Sequence, residues 1–144
     1  MIRFAPVRAA FFAIAALAIA HHSHPIFYDA CTSVTLEGTI ESVEWKNPHV
    51  LLDIKATDGK AYRADWTSIG ALERAKVAQP KAGDRVVIRG NPMRDIAAIK
   101  AKFPELTLEP PTKPVVDIVQ VRGVNDNWSW ARTEPATAPD CGHK

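Results

Sequence analysis

The sequence has no uninterrupted apolar stretch of about 20 residues, the length a bilayer-spanning helix requires, no internal repeat and no Gly-rich phosphate loop following a strand. It is also poor in cysteine, with two, which excludes a scaffold held by several disulfides. Charge of one sign is lacking as well: without Arg3 and Arg8, which lie in an N-terminal targeting segment, the 18 basic residues fall to 16, equal to the 16 acidic ones. A near-neutral chain offers no basic footprint for phosphates, so nucleic acid is not an expected partner. No serine or cysteine has the context of an activated nucleophile, and no closely spaced carboxylate pair stands out. Glu37, Glu41 and Glu44 read as solvent-facing strand positions, and the sequence is not read as an enzyme.

What is present begins with that N-terminal segment. Arg3 and Arg8 precede the apolar run AAFFAIAALAIA, too short to span a bilayer but suited to the core of a secretory signal peptide. Ala18 and Ala20 supply small residues for cleavage, which would leave His21 as the new N-terminus; Ala16-Leu17-Ala18 is the alternative frame. The expected location is the periplasm or outside the cell, with no transmembrane segment after cleavage. In that oxidising setting Cys31 and Cys141 are expected to pair, tying the two ends of the mature chain, with two free thiols as the alternative.

The middle of the chain alternates with a period of two. Val34, Leu36 and Ile40 share a face, but Val43 and Trp45 fall on the opposite parity, which predicts a bulge near Glu41 or Ser42 or a bend at Gly38. Asn47-Pro48 breaks the strand. A second strand opens at His49, with Val50, Leu52 and Ile54 on one face, and turns at Asp58-Gly59 into a third, AYRADW. A helix follows through SIGALERAKVA, capped by Thr67 or Ser68 and stopped before Pro80. DRVVIRG is a fourth strand, Asn91-Pro92 a turn, and Ala98 to Phe103 a fifth strand in which Ile99, Ala101 and Phe103 alternate with two lysines. This order, βββ-α-ββ, is that of a mainly β, small OB-like five-stranded barrel with one helix between strands three and four.

After Phe103 six of the eleven prolines accumulate, which indicates an extended C-terminal tail, although VVDIVQV from Val115 can make one more strand. Trp128 and Trp130 are expected to pack on the barrel. The resulting organisation is a signal peptide (residues 1–20), a His-rich segment (21–33), a barrel domain (34–103) and a Pro-rich extension (104–144).

His-His-Ser after a signal segment, then LEGTIESVEWKNPHVLLDI, a DG turn leading to DW, and KAGDRVVIRGNPMRD together resemble a family of small exported bacterial proteins, domain-of-unknown-function family 6152. The resemblance spans about Ala20 to Phe103, with Trp45 to His49 as its most specific stretch. It implies a periplasmic, OB-like protein and carries no established activity.

The histidines give the leading functional expectation. Cleavage after Ala20 would give His21 a free α-amino group beside its imidazole, and the two can chelate one metal ion; His22, His24 or His49 can supply a further nitrogen. Such a nitrogen-rich set favours copper, then zinc. The alternative is a solvated polar tail, with His49 merely hydrogen-bonded at its turn. A second class of function is a metal-free module that binds a periplasmic protein, peptide or saccharide on a barrel face around Trp45, Tyr62 and Trp66. A catalytic metalloprotein is the third.

Overall fold

The structure, a computed structural model, describes residues 24–133 and Cys141 of the 144-residue chain. The expected signal segment and two of the expected ligands, His21 and His22, lie outside the described residues. The description opens with a single helical turn, α1 (His24–Phe27), followed by the long strand β1 (Val34–Glu44).

Strand β1 buries Leu36, Gly38 and Ile40 on one side, as the alternation requires. Its register then slips: Ile40 faces Ile54 but Ser42 faces Asp53, so Glu41 is the extra residue of a bulge. The flip in hydrophobic phase therefore has the predicted cause. The bend lets one strand serve two sides. Residues 34–39 pair with β4 (Arg85–Pro92), while residues 38–44 pair with β2 (Leu51–Ala56), which continues through the Asp58-Gly59 turn into β3 (Ala61–Asp65).

Helix α2 (Ile69–Arg74) occupies the expected place between β3 and β4, and the Ser68 hydroxyl accepts from the Ala71 amide at 3.3 Å. It stops earlier than its apolar spacing suggested, because Lys76 takes a left-handed backbone with φ 56°. Strand β4 in turn runs through the expected Asn91-Pro92 turn. Asn91 is enclosed there and donates through its side-chain amide to the Thr32 carbonyl at 2.8 Å, which holds the N-terminal segment against the strand.

The main correction concerns the fifth strand. Residues 96–102 form a helix, α3 (Ile96–Lys102), capped by the Asp95 carboxylate accepting from Ala97 N at 2.9 Å and burying Ile99. The strand that closes the barrel is β5 (Val115–Gly123), taken from the segment assigned to the tail. It pairs antiparallel with β4 and parallel with β3, giving the closed order β1-β2-β3-β5-β4-β1. This is the OB-like barrel, now running past Phe103 as far as Gly123. A sixth strand, β6 (Ser129–Ala131), adds to β5.

Val50, Leu52 and Ile54 are fully buried, and with Val86, Ile88 and Ile118 they fill the barrel interior. Each such side chain contributes roughly 1.5–3 kcal/mol by leaving water. Trp66 lies among them at 1% exposure, stacked on Trp128 at 6.2 Å and edge-on to Trp130 at 5.8 Å, so the C-terminal tryptophans seal the core as expected. Cys31 and Cys141 form a disulfide with Cα atoms 5.4 Å apart, closing a 110-residue separation.

Candidate functional site

The parallel seam between β3 and β5 places Asp65 directly opposite Asp117. Two neighbouring carboxylates repel unless each is partnered, and a buried one must be. The partners come from three separate parts of the chain, and they define the site.

Asp65 serves two groups. Its Oδ2 accepts from the Tyr28 hydroxyl at 2.6 Å, and its Oδ1 lies 2.8 Å from Nδ1 of His49. A carboxylate is an acceptor, so the proton of that imidazole belongs on Nδ1 and Nε2 is left as the nitrogen with a free lone pair. The ring is half exposed, at 51%, while the carboxylate behind it is only 15% exposed. The backbone supports this orientation. The residue after His49, the fully buried Val50, exchanges hydrogen bonds with Thr67 O at 3.0 Å and Trp66 N at 2.9 Å.

Asp117 is the deeper of the two, 3% exposed. Arg132, just beyond β6, donates through Nη2 to its Oδ1 at 2.6 Å and to the Ile118 carbonyl at 3.2 Å. On the other side His24 brings Nε2 to 2.7 Å from Oδ2, within ion-pair distance but outside hydrogen-bond alignment, so Oδ2 has no aligned donor among the described residues. Nη1 of Arg132 stands 3.2 Å from the same imidazole nitrogen. His24 and Tyr28, one helical turn apart, face each other with ring centroids 4.9 Å apart.

These residues meet because the N-terminal segment is fastened to the end of β4. Asp29 N donates to Pro92 O at 2.9 Å, Arg94 N donates to Phe27 O at 2.8 Å, and Tyr28 bridges to Met93. Burial, and after it the Asp65 charge, push the Tyr28 hydroxyl far above its ordinary pKa, so it remains a proton donor to the carboxylate.

The expected ligands thus divide. His49 belongs to the polar chain Tyr28–Asp65–His49, and His24 meets it through its ring contact with Tyr28, so the two histidines contact different carboxylates. Among the described residues no three His, Cys, Asp or Glu side chains are grouped so as to hold a metal ion. The aromatic binding face expected around Trp45, Tyr62 and Trp66 does not form as one surface: Trp66 is enclosed in the core, and Trp45 and Tyr62 are partly buried against it. Tyr28, Asp65, Asp117 and Arg132 were not expected in the site. A lone acid in the apolar run VVDIVQV was the one local signal, since a charge in such a strand needs a partner.

Comparison with known proteins agrees with the resemblance seen in the motifs. Residues 10–100 match the family described as "Family of unknown function (DUF6152)". The chain belongs to this family. The DUF6152 match covers β1 to β4 and most of α3, including His24, His49 and Asp65, while Asp117 and Arg132 lie beyond it. No curated protein matches the chain. Among solved structures, a chain of the S. pombe Stn1–Ten1 complex is similar at 12% identity and a TM-score of 0.43, over 65% of this chain. This chain spans 59% of the length of that one. Among the described residues of this DUF6152 member no helix is long and apolar enough to cross a membrane.

Proposed function

We propose that this protein is an exported, periplasmic OB-like module that binds copper through His21, with its α-amino group freed by cleavage after Ala20, and through His49. The observation that carries the reading is the Asp65–His49 contact at 2.8 Å. It fixes the tautomer of the imidazole and leaves Nε2 with its lone pair on a half-exposed ring, the arrangement in which an outer carboxylate orients a metal-binding histidine.

Position supports it. Tyr28 rests on the same carboxylate, α1 begins four residues before Tyr28, and His21 lies only three residues before His24. Three residues reach at most about 11 Å. An α-amino group, with an ordinary pKa near 7.7–8.0, has a neutral fraction at pH 7 and loses its remaining protons when metal binds. Amine and imidazole of His21 with Nε2 of His49 make three nitrogens, a set for which Cu(II) outranks Zn(II). His22 is the next available donor.

The test is a Cu(II) titration with electron paramagnetic resonance on full-length protein exported through its own leader. One ion per chain is expected, with a nitrogen-rich spectrum. His49→Gln should lose one nitrogen from the hyperfine pattern and bind at least about tenfold more weakly, and His21→Ala should lose two. A spectrum and affinity indifferent to both substitutions would overturn the proposal.

A further inference from the structure

The two described histidines look alike in sequence but are held differently, and the difference assigns them different roles. Resting on the copper reading above, we infer that His24 is a positioning residue and not a ligand. With Asp117 and Arg132 it forms a clamp that docks the N-terminal turn onto the barrel beside the Asp65–His49 pair.

Three observations carry this. First, Nε2 of His24 faces inward, 2.7 Å from the buried Oδ2 of Asp117, which has no other partner among the described residues. Second, the Arg132 guanidinium stands 3.2 Å from that same nitrogen. A fixed positive charge there opposes a metal cation on the ring, whereas among the described residues the charged group paired with His49 is a carboxylate. Third, the other face of the network is closed by Tyr28, whose ring lies against His24 and whose amide donates to the His24 carbonyl at 3.0 Å.

The consequence is mechanical. Asp117 is anchored in β5 and Arg132 follows β6, so the clamp ties the start of the described chain to strands more than 90 residues later. The turn His24–Phe27 is then held on the barrel by His24 at its start and by Tyr28 on Asp65 just past its end. Pre-positioning of this kind strengthens binding by lowering the ordering cost, without adding a ligand.

The clamp is testable in the metal-free protein as well as with copper. In His24→Gln and Arg132→Gln, amide hydrogen exchange at Tyr28 and Asp29 is expected to accelerate at least tenfold, while the β2 and β4 amides stay protected, which shows that the barrel is still folded. With Cu(II) added, both variants should retain the wild-type number of nitrogen ligands and bind about three- to tenfold more weakly. Loss of one nitrogen in His24→Gln alone would make His24 a ligand and overturn the inference. Unchanged exchange at Tyr28 in both variants would overturn it too. Should wild-type protein fail to bind Cu(II) while the exchange result holds, the clamp stands and the copper reading falls.

Discussion

Asp53 shows how strongly one residue can be fixed on the outside of this barrel. Arg63 grips it with two parallel hydrogen bonds of 3.0 Å, Lys113 stands 3.0 Å away, and the Ser42 hydroxyl donates at 3.0 Å. These contacts, the Arg63 hydrogen bonds foremost, hold its carboxyl well below the ordinary range despite partial burial. The linkage to stability has a definite sign. A depressed folded-state pKa stabilises the fold above the unfolded value of about 3.9, and that contribution is lost as pH falls below it toward the folded value. Asp53→Asn should therefore cost about 1.5–3 kcal/mol at pH 7, the range for hydrogen bonds to charged groups. The deficit should shrink steadily at lower pH. Urea midpoints for both proteins at pH 7, 4 and 2.5 measure it, and a gap that stays constant across that range would show that the charge is not the cause. The candidate site was less legible at this scale than Asp53's strand. His49 announced itself by type and by its place after Asn47-Pro48, but Asp65 and Asp117 become neighbours only through a parallel pairing between segments 52 residues apart. No local pattern encodes that pairing.

At the scale of elements, β1 is the piece on which the barrel turns. Gly38 lies where the strand passes from one partner to the other, facing Val86 of β4 and Ala56 of β2. A Cβ there would run into the Lys55 carbonyl and come to 2.8 Å from Ile54 Cγ2 and 2.9 Å from Ala56 Cα. Two of these three neighbours are backbone in a paired strand and cannot swing aside. Gly38→Ala is expected to cost about 2–3 kcal/mol, as overpacking does in a closed interior, and to lower the urea midpoint by about 1 M. A midpoint indistinguishable from wild type would mean that the strand shifts to make room. The alternation in β1 to β4 was readable because each strand has one face buried and one wet, and the bulge was readable as a change of parity. Strand five was misread for a reason of the same kind. In IAAIKAKF the apolar residues Ile99, Ala101 and Phe103 fit a strand, yet Ile96, Ile99 and Phe103 fit a helix equally well. Asp95 in capping position was the signal that separates the two. The proline density after Phe103 then drew attention away from Val115 to Val121, whose near-continuous apolar run marks a strand covered on both sides.

For the molecule as a whole, the barrel alone does not keep its two ends together. Strands β1 to β5 close on themselves, but Cys31 precedes β1 and Cys141 lies ten residues beyond β6, so the disulfide joins segments outside the closed sheet. Its effect on stability comes mainly from the unfolded chain. Closing a loop of 110 residues is worth about 4–5 kcal/mol in chain-entropy terms, and residual structure in the unfolded state reduces that figure. The double substitution Cys31→Ser/Cys141→Ser should accordingly lose about 2–4 kcal/mol, read as a fall of about 1–2 M in the urea midpoint. The barrel should still form, because none of its closing pairs involves either cysteine. The clamp gives this experiment a second reading. Asp117, Arg132 and the backbone bonds of Asp29 and Arg94 already fasten residues 24–29 independently of the disulfide. Amide protection at Tyr28 and Asp29 should therefore survive in the double serine variant at neutral pH. If that protection vanishes along with the disulfide, the covalent link and not the clamp is what docks the N-terminal turn, and the site beside Asp65 would depend on the oxidation state of the chain.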